Sequence, residues 1–212
     1  MMTKYRINNH ENKNLLLTVR AMIVNKDKDI PKYIDTIIED KYLDDEKLLL
    51  KVNSIPSGGL RATIYSEILK IKDNRINYSL NIDRQIRTED LIELDTSTVV
   101  DVCKIVGVFI DNSIEAVKNL KTKAIDINLY IENKKLCIKV SNNYSGKIDI
   151  EKISDEGYTT KGTGHGYGLA LVKRIISENK DLENTTEIGK NVFSQIISIR
   201  HKKTHWKMCL FY

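Results

Sequence analysis

The first quarter of the chain follows a helical pattern of apolar residues. Residues 3–26 contain no glycine or proline, and their apolar side chains recur three and four positions apart, which predicts one long helix. The apolar stripe consists of Leu15, Leu16, Val19, Met22 and Ile23. Pro31 suits the first turn of a second helix. That helix would carry Ile34, Ile37 and Ile38 on one face.

Two further helical stretches are predicted before residue 74. Residues 48–52 follow a charged stretch and predict another helical turn or two. The sequence Pro-Ser-Gly-Gly at residues 56–59 predicts a break or bend. A longer helix then follows, because apolar residues return at helical spacing. These residues are Leu60, Ile64, Ile68 and Ile71.

Beyond Asn74 the pattern alternates between strands and helices. Apolar and polar residues alternate in three segments, which predict half-buried strands over residues 76–82, 125–131 and 136–140. Asn133-Lys134 is typical of a hairpin turn between the second and third strands. A final hairpin is predicted around Gly189-Lys190, and its last strand covers residues 192–199.

Two helices are predicted between these strands. Asp95-Thr96-Ser97 can cap a helix that runs to about Leu120. Its inward face would contain Val99, Val102, Val106 and Ile110. The second helix runs from about Gly168 to Glu178 and follows a loop rich in glycine, serine and threonine.

The predicted fold class is α+β. Residues 1–72 form a helical region, and residues 73–200 form an α/β sandwich with helices on one face of a mixed sheet. Residues 201–212 follow the last strand and begin with a basic stretch, so we expect a disordered tail. A contact with a partner or a membrane surface is the alternative for this tail.

Composition narrows the classes of protein. The 212 residues are 41% hydrophobic and 30% charged, a balance that excludes disorder throughout. No apolar run approaches the ~18 residues of a membrane span, and the first residues lack an apolar signal-peptide core. We therefore expect a soluble, cytoplasmic chain. If the parent is a membrane protein, its anchor lies outside this sequence.

Charge and cysteine content exclude other kinds of site. The net charge of +5 is mild, and no basic stripe carries interleaved aromatic residues, so nucleic-acid binding is not expected. Cys103, Cys137 and Cys209 are widely spaced, which disfavours a disulfide framework and a zinc site.

A glycine-rich loop is the first chemical signal. Gly162, Gly164, Gly166 and Gly168 alternate with other residues and open directly onto the helix that follows. Glycines permit close backbone approach, and a helix N-terminus offers unpaired N–H groups, so the loop suits phosphate binding. A flexible hinge or turn is the alternative. The sequence matches neither a Walker loop nor a dinucleotide fingerprint.

Polar residues interrupt the long apolar helix near its end. They are Asp111, Asn112 and Glu115. Magnesium prefers oxygen ligands and usually shares its shell with substrate phosphates, so the amide oxygen of Asn112 is a candidate ligand. A polar residue on the solvent face or a capping contact is the alternative.

Asn142 follows the third strand, on the same face as Val140. Its amide can both donate to and accept from the edge of an adenine ring. Asn143 could do the same. The alternative is a turn that ends the strand, since Asn-Asn-Tyr-Ser-Gly has the composition of a turn.

Together these elements resemble a known family. The helix containing residues 111–116, the strand ending in Asn142 and the loop at residues 160–169 occur in the order of the N box, the adenine-binding box and the second glycine box of the GHKL (Bergerat) ATPase domain of histidine kinases. Residues 10–14, His-Glu-Asn-Lys-Asn, resemble the phosphoacceptor box. Over about residues 4–200 the chain most resembles the cytoplasmic part of AgrC-like quorum-sensing sensor kinases.

The resemblance implies a protein-histidine kinase of a two-component system, with ATP and Mg²⁺ as cofactors. His10 would be autophosphorylated, and the phosphoryl group would pass to an aspartate of a response regulator. Glu11 would accept the other imidazole proton, and Asn14, one turn further on, would orient a water or the phosphoryl group. Residues 1–72 would form a homodimer through their helices. The parent would be anchored in the inner membrane, with this chain on its cytoplasmic side.

The same resemblance implies a nucleotide site in residues 73–200, with Asn112 as the metal ligand. The other residues of this site are Glu115, Asn142, Lys161, Gly162, Gly164, Gly166, Gly168 and Leu169. Lys161 would neutralise phosphate charge, and residues 145–163, with Tyr158, would form a mobile lid.

The sequence also departs from the family pattern. Asn142 replaces the usual aspartate, the Asp-x-Gly-x-Gly pattern is absent, and Leu15 stands where many kinases place a proline. Val108 occupies the position of the water-activating glutamate of the topoisomerase, chaperone and mismatch-repair members, which favours transfer to a protein side chain over ATP hydrolysis. The alternatives are a degenerate non-catalytic scaffold, a bare ATPase clamp, and a phosphatase-biased sensor in which Asn14 positions water.

Overall fold

The computed structural model describes residues 15–30, 32–33, 46–87, 94–145 and 167–200. The chain divides into two compact units, Met1–Glu46 and Lys47–Tyr212. In the first unit, residues 15–24 form a helix, which agrees with the predicted apolar spacing. Within the described ranges, no helix has the length and apolar character needed to cross a lipid bilayer.

The second unit contains four α-helices among its described residues. They are α1 (Glu46–Val52), α2 (Gly58–Asp73), α3 (Thr96–Val117) and α4 (Tyr167–Glu178). A short 3₁₀ helix, Arg84–Arg87, follows the first strand. All four α-helices are predicted from the sequence, α2 and α3 with their apolar faces.

Among the residues that the structure describes, five strands form one mixed sheet. They are β1 (Asn77–Ile82), β2 (Ala124–Glu132), β3 (Lys135–Asn143), β4 (Leu182–Ile188) and β5 (Val192–Arg200). Their order in the sheet is β1-β2-β3-β5-β4. The β1 strand is parallel to β2, and the other three neighbouring pairs are antiparallel. The prediction of an α+β fold with a mixed sheet is confirmed.

The β2–β3 hairpin shows how local sequence determines the sheet register. Asn133 and Lys134 have positive φ angles of 50° and 61°, which match a two-residue turn between twisted strands. The register pairs Ile131 with Leu136 and Ile127 with Val140. The alternating apolar residues of both strands therefore share one face.

That face belongs to a single hydrophobic core. The buried residues of α2 are Leu60, Ile64, Ile68 and Ile71. They belong to the same cluster as buried residues of α3, β2 and β3, including Val106, Ile127 and Ile138. Since α2 is part of this core, the second compact unit begins at Lys47 and not near residue 73. Part of the predicted helical region therefore packs with the sheet.

The start of α2 also differs from the prediction. Gly58 and Gly59 are the first residues of the helix, so the break ends at Ser57. A Cβ at Gly59 would lie 3.0 Å from Cγ1 of Val99, so this glycine allows α2 and α3 to approach closely.

Helix α3 carries the predicted N-cap. The Asp95 carboxylate accepts hydrogen bonds from the backbone N–H of Thr98 (3.0 Å) and from its hydroxyl (2.7 Å). These bonds lower the pKa of Asp95 to about 2. Val102, Val106 and Ile110 are buried in this helix, as predicted, whereas Val99 is half-buried.

Candidate functional site

Helix α3 and the start of α4 meet at a glycine. A Cβ at Gly168 would lie 3.0 Å from Cγ1 of Val108 and 4.0 Å from Oδ1 of Asn112. Val108 and Asn112 are one helical turn apart, so both lie on the side of α3 that faces α4. The absence of a side chain at Gly168 therefore brings the first turn of α4 against the amide oxygen of Asn112.

This junction combines two kinds of binding group. The first turn of α4 has backbone N–H groups without intrahelical partners and the positive end of the helix dipole. It contains no acidic residue that would repel an anion. Beside it, Asn112 offers a neutral oxygen of the type that Mg²⁺ accepts. The donor set fits a magnesium ion together with the phosphate group that shares it.

Two other predicted site residues lie on the same helices. Glu115 is half-buried on α3 and is engaged in an interaction within the protein. Leu169 is half-buried on α4, directly after Gly168. Both are therefore on the two helices that form the junction.

Asn142 lies within β3 and not after its end. It pairs with Ile125 of β2 and Phe193 of β5, and it is only 3% exposed. Its Nδ2 donates to the carbonyl oxygen of Asn143 at 3.0 Å. This bond uses one of the two N–H groups of Nδ2 and fixes the orientation of the amide.

Asn143 has a role that its sequence does not suggest. Its Oδ1 accepts from the backbone N–H of Ala124 (2.9 Å), and its Nδ2 donates to the carbonyl of Thr122 (2.8 Å). Both ends of the amide bond backbone groups, so the side chain has a role within the fold, and the suggestion that Asn143 reads a base stays a prediction. The side chain ties the end of β3 to the start of β2.

Tyr144 strengthens the same end of β3. Its hydroxyl donates to the carbonyl of Gly189 (2.8 Å), and its backbone N–H donates to the carbonyl of Asn191 (3.2 Å). The strand that carries Asn142 is therefore held on both sides. Apart from the turn-like composition, no sequence pattern indicates this contact, because it joins residues far apart in the chain.

Several predicted residues lie outside the described ranges. They are His10, Glu11, Asn14, Lys161, Gly162, Gly164 and Gly166. The same applies to residues 146–166, which contain most of the predicted lid, and to the predicted tail at 201–212. Their roles stay predictions.

A charged cluster beside α3 is not predicted from the sequence. Lys70 Nζ lies 2.7 Å from Oε2 of Glu67 and 2.9 Å from Oδ1 of Asp111. Burial raises the pKa of Glu67, and Lys70 only partly opposes this shift. Burial also works against the charge of Lys70, but its contacts with Glu67 and Asp111 outweigh it and raise the pKa of Lys70.

The chain is similar in sequence to a known domain family and to two bacterial sensor proteins. The family model of the GHKL domain matches residues 98–200, which cover nearly all of α3 and extend to the end of β5. A probable C4-dicarboxylate sensor kinase of Halalkalibacterium halodurans is 28% identical over 193 residues, covering 87% of this chain and 35% of the relative. The sensor protein CitS of Bacillus subtilis is 28% identical over 176 residues, covering 82% of this chain and 31% of CitS. The chain thus spans about a third of the length of these relatives.

A solved structure of a histidine kinase domain also matches this chain. The catalytic domain of histidine kinase ThkA, in a nucleotide-free form, matches with a TM-score of 0.54 and 25% identity. The match covers 68% of this chain and 90% of that domain. Neither of the two sensor relatives is described as a quorum-sensing kinase, so the AgrC-like subtype stays a prediction. Residues 98–200 thus match the model of the GHKL domain, and the chain is similar to two bacterial sensor proteins and to the catalytic domain of a histidine kinase.

Proposed function

We propose that the chain is the core of a sensor histidine kinase in a two-component system. It binds Mg-ATP where α3 meets α4 and phosphorylates itself on His10. The observation that carries this proposal is the amide oxygen of Asn112 beside Gly168, at the start of a helix inside the GHKL match. The names of the curated relatives, both sensors, support it.

In this proposal the phosphates of ATP lie at the first turn of α4. Asn112 holds Mg²⁺, which when bound neutralises charge on the phosphates. Gly162, Gly164 and Gly166 continue the cradle that begins at Gly168, and Lys161 adds a positive charge. Glu115 and Leu169 line the same site.

Asn142 is the proposed contact with the base. One N–H of its Nδ2 donates to Asn143 and orients the amide, and we assign Oδ1 as the acceptor for the base. An amide held in this way presents the same acceptor as a carboxylate, so it suits the exocyclic amine of adenine. Without the full charge of an aspartate the hydrogen bond is weaker, and we expect a modest affinity for ATP.

Phosphotransfer then depends on the first unit. The imidazole of His10 attacks the γ-phosphorus of ATP, the bond to ADP breaks, and Glu11 takes up the proton from the other ring nitrogen. Asn14 orients the phosphoryl group or a water. The phosphoryl group passes to an aspartate of a response regulator; ThkA itself has been solved in complex with the response regulator protein TrrA.

The homodimer is proposed to form through the N-terminal helices. In the described helix at residues 15–24, Leu16 and Val24 are each 71% exposed. Apolar side chains exposed along a helix favour pairing with another helix, and a second copy supplies an identical one. The parent protein would anchor this dimer to the cytoplasmic side of the inner membrane.

Val108 separates the kinase from an ATPase. A methyl group of Val108 packs toward Gly168. In the resemblance, this is the position at which the GHKL proteins that hydrolyse ATP carry a glutamate. An apolar side chain at this position does not activate water. Transfer to a histidine is therefore favoured over hydrolysis.

The test is incubation of the full chain with γ-labelled ATP and magnesium. We expect an acid-labile, base-stable label on the wild type that is lost in His10→Gln and in Asn112→Ala. Asn119→Ala is a matched control, because Asn119 is an exposed asparagine just after α3. His201→Gln controls for loss of a histidine outside the phosphoacceptor box.

The other outcomes decide between the alternatives. Nucleotide binding without any label would contradict the kinase and favour a degenerate scaffold or a phosphatase-biased sensor. Failure of the wild type to bind nucleotide at all would contradict the proposed site at Asn112 and Gly168.

A further inference from the structure

Helices α2 and α3 run side by side in the same direction. Gly59, near the start of α2, approaches Val99 near the start of α3. Further along both helices, Glu67 lies over Gly107, and Lys70 reaches Asp111. The contacts therefore follow one another in the same order on both helices.

The contacts that Glu67 and Lys70 make with α3 involve charged side chains. Glu67 Oε1 lies 3.5 Å from the position that a Cβ of Gly107 would take, and the Glu67 side chain is only 12% exposed. Lys70 Nζ contacts both Glu67 Oε2 at 2.7 Å and Asp111 Oδ1 at 2.9 Å. We name these three residues the Glu67–Lys70–Asp111 bridge. A single exposed ion pair stabilises little, but here one ammonium joins two carboxylates, one of them shielded from water.

The bridge reaches α3 beside the candidate metal ligand. Gly107 and Asp111 lie one turn apart on the side of α3 that faces α2. Val108 and Asn112 are the residues that follow each of them, and they lie on the side that faces α4. Because a helix rotates as a rigid body, a contact that holds Asp111 also restricts where Asn112 points.

We propose that the Glu67–Lys70–Asp111 bridge sets the rotation of α3 and so directs the Asn112 amide oxygen toward the first turn of α4. Lys70 is then a positioning residue for magnesium and phosphate, although it touches neither. This inference rests on the proposed nucleotide site.

The experiment measures magnesium-dependent binding of a fluorescent ATP analogue to the full chain. Lys70→Met removes the ammonium group and keeps an apolar stem, whereas Lys70→Arg restores a cation. Lys104→Met is the matched control, because Lys104 pairs with Asp101 at 3.4 Å within α3 and does not reach α2. Each variant is titrated with MgCl₂ and, separately, with the analogue in EDTA.

We expect Lys70→Met to weaken the response to magnesium about three- to tenfold, which lies within the range of effects seen along coupled networks. Affinity in EDTA should change little, Lys70→Arg should recover most of the loss, and Lys104→Met should behave as the wild type. Asp111→Asn, a change at a side chain that is 63% exposed, repeats the test if Lys70→Met does not fold.

Several results would overturn the inference. One is an unchanged magnesium response in Lys70→Met, even with a lower unfolding midpoint, because a purely structural role predicts that combination. An equal loss in Lys104→Met would also overturn it. If the wild type fails to bind the analogue under any condition, the proposed nucleotide site is contradicted. The inference about the bridge then fails with it, because no bound magnesium remains to be positioned. Normal wild-type binding with a normal Lys70→Met contradicts the bridge alone.

Discussion

Helix α3 makes close contacts with α4 on one side and with α2 on another, at nearly the same position along its axis. The two contacts differ in chemistry. Toward α4 the contact joins Val108 and Asn112 to Gly168, and it contains no charged group. Toward α2 the contact joins Gly107 and Asp111 to Glu67 and Lys70, and it is built of charges. In both, a glycine lies at the contact, Gly168 on α4 and Gly107 on α3.

The distances show that the two glycines are not equivalent. A Cβ at Gly168 would lie 3.0 Å from a methyl group of Val108, which is closer than ordinary contact. A Cβ at Gly107 would lie 3.5 Å from a carboxylate oxygen of Glu67, which is ordinary contact. A Cβ at Gly168 therefore requires Val108 to shift by a few tenths of an ångström, whereas the α2 side tolerates a small side chain without a shift. The side with the proposed metal ligand is the more sterically restricted.

The largest expected effect comes from Gly168→Val. Its branched side chain would collide with Val108 and enter the space beside Asn112, so we expect a loss of about 1–3 kcal/mol in the free energy of unfolding, as for other overpacked sites. Binding of a fluorescent ATP analogue should fall below detection. Urea unfolding and nucleotide titration measure the two effects separately.

Gly58→Val is the matched control for this change. Gly58, like Gly168, lies in the first turn of a helix, and no atom lies within 4 Å of its Cβ position. Valine is a slightly better helix residue than glycine, so we expect no loss in the free energy of unfolding and normal nucleotide binding. If both variants lost the same stability and affinity, the close contact at Gly168 would not be the cause.

A smaller effect tests whether Val108 is the partner of Gly168. Gly168→Ala should lower the free energy of unfolding by about 1 kcal/mol, since one methyl group must be accommodated. Combined with Val108→Ala, which removes the opposing methyl groups, the loss should be less than the sum of the two single losses by at least about 0.5 kcal/mol. Urea unfolding of all four proteins measures this coupling. Simple additivity would show that Val108 moves away without cost.

Most of the fold follows from local pattern. The helical spacing of Leu60, Ile64, Ile68 and Ile71 predicts α2, because burial of its apolar face provides most of the stability of such a helix. The N-cap at Asp95 and the turn at Asn133-Lys134 depend on near neighbours, and both are confirmed. Contacts within a few residues of sequence are thus predictable from type and spacing.

Contacts between distant residues are not predictable in this way. Helical spacing shows that α2 has an apolar face but not which surface covers it, so the compact unit begins earlier than the predicted boundary. Asn143 and Asn142 have the same side chain, and only the sheet register shows that Asn143 faces the backbone at Thr122 and Ala124. The proximity of Asn112 and Gly168 is expected from the family resemblance alone. Nothing in the sequence indicates that Lys70 of α2 contacts Asp111 of α3.

On the α2 side of α3 the same glycine substitution should have the opposite sign. Gly107→Ala places a methyl group at ordinary contact distance from Glu67. Alanine is the better residue in a helix interior, so we expect the free energy of unfolding to rise by up to about 1 kcal/mol. Urea unfolding beside Gly168→Ala provides the comparison, because the substitution is identical. A loss in both variants would mean that the two contacts are equally tight and that the difference between the sides is not real.

The smallest effect concerns the charge of Glu67, and its sign depends on pH. Burial raises the pKa of Glu67 above 4.5, so the folded state favours the protonated form. The contribution of this group to stability is therefore fully present below pH 4.5 and is lost as the pH rises through the folded-state pKa. Glu67→Gln is neutral at every pH, so its stability relative to the wild type should improve between mildly acidic and neutral pH. Urea midpoints of both proteins at the two pH values measure this change. A relative stability that falls as the pH rises would mean that Lys70 compensates for the burial of the carboxylate in full, and the α2 contact would then be a stabilising ion pair and not a charge held at a cost.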